Sequence, residues 1–299
     1  EIILPAPSWV SYMPQAILGR NKTHILQSKR VNNWFPTPIE IEEIILKDKN
    51  KNYLILLNSP NNPSGQICEN LKEISDIANK YNLIILSDEI YSELSFKNNY
   101  ESISNFCPEK TIISTGLSKW CGAGGWRLGY FLVPNDLKEI RSMINVLASE
   151  TFSSVSAPIQ YAAIKAYEND HTKYIDKSRD ILKAVGEYVY ENLKSNKILI
   201  NKPQGGFYLM PEFLNKKFKS SSEMCDDILI KTGVAFLPGS DFGFDKTRML
   251  VRLSFTDFDG KKFMQETQNE QMIKNDLILK FAPKIVEGVD KLKKWSESI

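Results

Sequence analysis

The sequence predicts an α/β protein: a large domain built on a mainly parallel, mixed sheet flanked by helices, followed by a smaller C-terminal α/β domain. Two observations carry that expectation. Through the first half, short, nearly continuous apolar runs alternate with amphipathic stretches, the pattern of parallel strands whose crossover helices cover both sheet faces. Near Tyr174 the texture changes to a long unbroken helical pattern, YIDKSRDILKAVGEYVYENLKS, and then to short strand-like runs separated by turn residues. A chain of 299 residues has material for both units. The expected division places residues 1–173 in the large domain and 174–299 in the interdomain helix and small domain.

Taken in order, the expected strands of the large domain are 2–4, 24–27, 53–58, 83–88, 111–115 and 127–133. Helical patterns separate them. Pro38–Lys47 is one, and 68–81 is another, with Leu71, Ile74, Ile77 and Ala78 at helical spacing. After the long helix come strand-like KILIN, the turn KPQGG, the strand FYLMP, a helix over Ser221–Thr232, and the strands within VAFLPGS and RMLVRLSF. These C-terminal strands should pair antiparallel. Residues 277–295 read as helix, with Pro283 marking a start or a kink.

Composition narrows the function. The chain carries 38 Lys and Arg against 36 Asp and Glu, a net charge of +2, so no electrostatic footprint for nucleic acid is visible. Its four cysteines have no paired spacing, which points to free thiols in the cytoplasm. Only two histidines, His24 and His171, are present; this argues against a multi-histidine metal site and a Ser-His-Asp hydrolase. No apolar run reaches membrane-spanning length, and the start EIILPAPSWV lacks the basic region and cleavage site of a signal peptide. That start is already strand-like, so the expectation is a chain that begins inside a domain.

In an open parallel sheet, ligands bind outside the carboxyl ends of the strands. Those ends deliver a specific set of side chains. The first strand runs into PAPSWVSY, with Trp9 and Tyr12; the third into NSPNNPSG, with Asn62; the fourth into SDEIY, with Asp88 and Tyr91; the fifth into GLSK, with Lys119. If the sixth strand returns antiparallel, its beginning places Arg127 on the same edge. Each fragment alone has an ordinary structural reading as a turn, a cap or a core aromatic. GAGGWR is a weak dinucleotide fingerprint, because its sixth position is Arg127 and it follows a lysine.

Together and in this order, PAPSWVSY, NSPNNPSG, SDEIY, LSK…GGWRLGY, GGFY, LPGSDFG and VRLSF resemble the pyridoxal-phosphate-dependent aminotransferases of class I/II, with the fold of aspartate aminotransferase. The resemblance implies pyridoxal 5'-phosphate as cofactor and transfer of an amino group from an amino acid to a 2-oxo acid through a Schiff base on Lys119. It also implies a homodimer. On the matching positions, Arg127 would bind the phosphate, Asp88 would face the pyridine nitrogen, and Trp9 would stack on the ring. Tyr91 and Asn62 would hydrogen-bond the phenolic oxygen, and Arg252 would clasp the substrate α-carboxylate.

The chemistry of the residue types agrees with those roles. A desolvated lysine beside a cation has a lowered pKa and becomes nucleophilic, and once freed it can move the Cα proton. A buried aspartate keeps a ring nitrogen protonated. Planar guanidinium forks match phosphate and carboxylate, and Gly122, Gly124 and Gly125 would let backbone approach the cofactor. Two departures stand out. Where many family members carry a hydroxyl residue three positions before the lysine, this chain has Gly116, leaving Ser114 or Thr115 to compensate. The family's N-terminal arm and first helices have no counterpart here, so the expectation is an N-terminally truncated enzyme. A lyase using the same cofactor, or a non-catalytic cofactor-sensing domain, are the alternatives.

Overall fold

A computed structural model describes residues 1–299 except Asn98, Lys216, Asn269, Gln271 and Ile299. In chain order its first half contains β1 (Ile2–Ala6), α1 (Tyr12–Leu18), β2 (Thr23–Gln27), α2 (Pro38–Lys47), β3 (Leu54–Asn58), α3 (Leu71–Tyr81), β4 (Ile84–Asp88), β5 (Thr111–Gly116) and β6 (Gly129–Leu132). Three helices follow: α4 (Lys138–Phe152), α5 (Ala157–Glu168) and α6 (Thr172–Leu193). The last third holds β7 (Ile198–Leu199), β8 (Tyr208–Leu209), β9 (Glu212–Phe213), α7 (Ser221–Thr232), β10 (Leu237–Pro238), β11 (Val251–Ser254), α8 (Gly260–Glu266), α9 (Asn275–Phe281) and α10 (Pro283–Glu297).

The six N-terminal strands form one sheet in the order β2-β1-β3-β4-β5-β6. β1 to β5 are parallel and β6 runs antiparallel to β5. Side-chain alternation divides each strand between the two faces. Ile3, Ile55, Leu57 and Ile85 pack with Ile41, Ile44, Ile45, Leu71, Ile74 and Ala78 of α2 and α3 in one core cluster. On the other face Leu4 and Leu56 pack with Tyr12 of α1. The C-terminal elements build their own core around α6, with Val185, Leu209, Ile228, Val251, Phe255, Phe263, Val289 and Trp295. Their short strands pair antiparallel, β10-β11-β8 and β7-β9.

Local signals account for the best-read boundaries. α2 starts on a capping box: Thr37 Oγ1 accepts from Glu40 N–H at 3.3 Å, and Glu40 Oε2 accepts from Thr37 N–H at 2.8 Å, with Pro38 at the first helical position. α7 starts on Ser220, whose Oγ accepts from Glu223 N–H at 3.1 Å, and ends at Gly233 with φ +75°. Pro283 is a start and not a kink, because it opens α10 directly after α9 ends. Two expectations need correction. The helix in 68–81 begins at Leu71, and the sixth strand begins at Gly129, two residues beyond Arg127.

Candidate active site

The parallel strands carry their loops to one end of the sheet, where a cleft of about 620 Å³ opens. Trp9, Asn62, Asp88, Tyr91, Lys119, Arg127 and Arg252 all line it. The first six come from the carboxyl ends of β1, β3, β4 and β5 and from the approach to β6; Arg252 comes from β11 in the C-terminal part. Strand register explains the cleft floor. Asn58, Asp88 and Ser114 are aligned across β3, β4 and β5, and all three line the cleft.

Lys119 is held by the residues around it. Leu117 is fully buried and Trp120 nearly so, and both belong to the cluster that includes Tyr91, Leu94 and Tyr208. These two anchors hold the turn that presents the half-buried lysine, whose Nζ lies 5.6 Å from the Tyr91 ring centroid and 5.7 Å from that of Phe207. Burial pushes the Lys119 amine below its ordinary pKa, and the Arg252 charge pushes the same way. Asp88 opposes this, and Arg127 adds a smaller lowering. Gly122 follows at φ +65°, a left-handed conformation that suits glycine. Gly124 and Gly125 have no such demand. A Cβ at Gly124 would meet only Ser118 O at 3.8 Å and one at Gly125 nothing within 4 Å, so packing within the chain does not itself demand glycine at either position.

Asp88 closes β4 with both carboxylate oxygens engaged. Tyr12 Oη donates to Oδ2, and the Ile90 N–H donates to Oδ1 at 3.2 Å. Burial nevertheless pushes the carboxyl above the usual aspartate range, against the lowering effects of Tyr12, the Ile90 N–H and the Lys119 charge. A cationic N–H placed in the cleft beside Asp88 would favour the anion further. Behind it, Asn58 Nδ2 donates to Asp88 O at 2.9 Å, and Asn58 Oδ1 accepts from Asn62 N–H at 2.7 Å. This pair fixes the Asn62 turn against the end of β4. Tyr91 is buried; burial first, and then Tyr208, keep its phenol protonated by raising its pKa.

Arg252 is aimed by three contacts. Nη1 donates to Asn62 Oδ1 at 3.1 Å, and the guanidinium lies over the Tyr208 ring at 4.5 Å and the Phe242 ring at 5.2 Å. The Asn62 contact spans 190 residues of sequence and joins the sheet to the C-terminal part. Trp9 stands edge-on to Tyr12 at 5.4 Å and 86° and remains 38% exposed.

Arg127 lies at the cleft rim in the left-handed region, with φ +55°. It is exposed, and its Nη1 donates to Gly124 O at 2.5 Å. Gly116 has a steric cause. A Cβ there would meet Leu128 O at 2.6 Å and Gly129 Cα at 2.9 Å, both backbone atoms at the β5–β6 pairing. Of the two proposed compensating hydroxyls, Ser114 lines the cleft and Thr115, one residue on, does not; Ser118 lines it as well. Gly116→Ser should therefore cost about 1–3 kcal/mol of stability, read as a lowered midpoint of thermal unfolding. An unchanged midpoint would mean the strand pair yields.

Against this geometry, the profile of the family described as aminotransferase class I and II matches residues 1–262. The chain belongs to that family. Among its class I and II relatives, an aspartate aminotransferase of Bacillus sp. strain YM-2 is 33% identical over 266 residues, covering 85% of this chain and 65% of the relative. An aspartate aminotransferase of Thermotoga maritima is 31% identical over 262 residues, covering 85% of this chain and 64% of the relative. The chain thus spans a little under two thirds of the length of the relatives it matches. A solved structure, the alanine aminotransferase from Pyrococcus furiosus, superposes over all of this chain and 70% of its own, with a TM-score of 0.82 and 27% identity.

Aspartate aminotransferases of this class use pyridoxal 5'-phosphate, and the donor set fits it. A carboxylate, an amine of lowered pKa, phenols and a guanidinium face one space of suitable size. The motif-based reading assigned no role to Tyr12, Asn58, Ser118 or Tyr208, and named Ser114 only as one of two compensating hydroxyls. Tyr12, Asn58, Ser118 and Tyr208 lie inside PAPSWVSY, NSPNNPSG, LSK and GGFY, and that membership is the signal that could have found them. No helix among the described residues is long and apolar enough to cross a membrane.

Proposed function

We propose that this chain carries the cofactor and substrate machinery of a pyridoxal 5'-phosphate-dependent aminotransferase, moving an amino group from an amino acid to a 2-oxo acid. The observation that carries the reading is Lys119, an amine of lowered pKa, facing one cleft with Asp88 and Arg252. When bound, the cofactor supplies an electron sink for the pair left behind as the substrate Cα–H bond breaks. Asp88 retains the proton on the ring nitrogen. Asn62 and Tyr91 hydrogen-bond the phenolic oxygen, Trp9 offers a ring face, and Arg127 neutralises phosphate charge with hydroxyl support from Ser114 and Ser118. Arg252 holds the substrate α-carboxylate and so orients Cα–H toward Lys119, whose Nζ accepts and returns that proton.

The active assembly is a cytoplasmic homodimer with the large domain over residues 1–173 and the small domain over 174–299. The separate core around α6 supports the division. The four free cysteines agree with a reducing compartment. In α4 no residue is buried, and Met143, Val146, Leu147 and Phe152 are each at least 64% exposed, an apolar surface suited to a partner. The test adds pyridoxal 5'-phosphate and then a panel of amino acids. A visible chromophore should form, shift with a preferred amino acid, and yield the matching 2-oxo acid with the cofactor left as its amine. Release of ammonia with the cofactor unchanged would replace the reading with a lyase.

A further inference from the structure

We infer that Tyr12 is a positioning residue: it ties the Asp88 carboxylate to the Trp9 ring and so sets how tightly the cleft retains pyridoxal 5'-phosphate. The inference rests on the function proposed above. Tyr12 opens α1 and is 6% exposed. Its ring packs with Leu4 and Leu56, with Ile2, Met13 and Leu86 around them. One edge of its contacts is Trp9, perpendicular to it at 5.4 Å, and the Tyr12 N–H donates to Trp9 O at 3.0 Å. At the other end its Oη donates to Asp88 Oδ2. The two groups that would face a flat heteroaromatic ring, one by its plane and one by its nitrogen, are therefore joined through a single side chain.

Apolar packing alone does not require the phenol oxygen. Phenylalanine would fill the same space but would leave the Asp88 Oδ2 without its side-chain donor. What the hydroxyl adds is direction. A carboxylate with a donor on each oxygen cannot rotate freely, and the Ile90 N–H already holds Oδ1. Burial raises the Tyr12 pKa well above that of a free phenol, so it stays a donor. The other ionisable groups near Asp88 are Lys119 from the loop after β5, Tyr91 from the turn after β4, and Glu89 and Tyr100. Of these groups, Tyr12 alone donates a side-chain hydrogen bond to Asp88 among the described residues.

The experiment compares the wild type with Tyr12→Phe, both verified as folded by thermal unfolding. In cofactor-free protein carrying 13C-labelled aspartate, the Asp88 carboxyl signal, assigned by its loss in Asp88→Asn, should titrate at higher pH in Tyr12→Phe because a donor to the anion is gone. Affinity for pyridoxal 5'-phosphate should fall about tenfold. In the Asp88→Asn background the same change should alter affinity by less than about twofold, since the two residues act as one unit. An unmoved Asp88 titration overturns the inference. So does an equal loss of affinity in the Asp88→Asn background, which would assign Tyr12 to packing alone. Because the titration uses cofactor-free protein, it decides the Tyr12–Asp88 link even where wild type fails to bind the cofactor and the proposed function falls.

Discussion

Lys119→Ala is expected to lower amino-group transfer by about 10⁴-fold or more, because one residue supplies both the attacking amine and the proton shuttle. Borohydride reduction should fix the cofactor to Lys119 in the wild type and to no residue in the variant. Label found elsewhere would reassign the lysine. The fold should tolerate the change. A lysine whose folded-state pKa is lowered is a group the folded state prefers neutral. At neutral pH it is charged in the unfolded chain and disfavoured as a cation in the cleft. Its unfavourable contribution is thus fully present below the folded value and is relieved as pH rises toward the ordinary lysine value of about 10.4. Lys119→Ala should accordingly unfold at a temperature no lower than the wild type near pH 7. The pH profile of cofactor capture by the wild type should level off below that ordinary value.

Arg252→Leu is the second large effect. A guanidinium fork on a carboxylate makes two charge-assisted hydrogen bonds, and their loss should raise the KM for the amino acid by about 10²-fold or more. Cofactor absorbance should be retained, since Arg252 reaches Asn62, Tyr208 and Phe242 and not the residues assigned to the phosphate. Arg252 is also the larger of the two cationic influences lowering the Lys119 pKa. Its removal should shift the capture profile to higher pH. Unchanged substrate affinity, with the profile unmoved, would separate Arg252 from the site.

The two positions link chemistry to architecture. Lys119 sits on a turn anchored at Leu117 and Trp120 within the sheet-bearing part, whereas Arg252 arrives on β11 from the C-terminal part. A substrate bridging them would contact both parts at once. Substrate binding could then be read as a change in their relative mobility, by hydrogen exchange in α6, which leads from one to the other.

The strands and most helices were legible because their signals are local. Five consecutive residues of β3 or β4 carry their own apolar run, and the Thr37–Glu40 box encodes the start of α2 within four residues of sequence. The helices α1, α4, α5 and α8 were missed; α1 and α8 have seven residues each, too few for a periodic pattern to stand out. α4 and α5 start without a side-chain cap hydrogen bond, so the helical spacing of Ile140, Met143, Ile144 and Leu147 in α4 had no start signal beside it. The Arg127 error was one of boundary: Arg127 is a left-handed residue that closes the turn ahead of β6, where the expected strand had made it the first strand residue.

For the site, residue identity came from linear order, because parallel strands bring successive loops to one end whatever lies between them. Contacts between distant residues could not be read that way. Tyr12 meets Asp88 across 76 positions and Arg252 meets Asn62 across 190, and a hydrogen bond between side chains leaves no periodic trace along a chain. Gly116 shows the same division most sharply. Its missing hydroxyl was visible as a departure from a motif, but its cause is Leu128 O, on the approach to the paired strand and 2.6 Å from where a Cβ would stand. Motif order was enough to nominate Lys119, Asp88 and Arg252. Steric exclusion at Gly116, and the orientation of Asp88 by Tyr12, exist only once β4, β5, β6 and α1 are packed together.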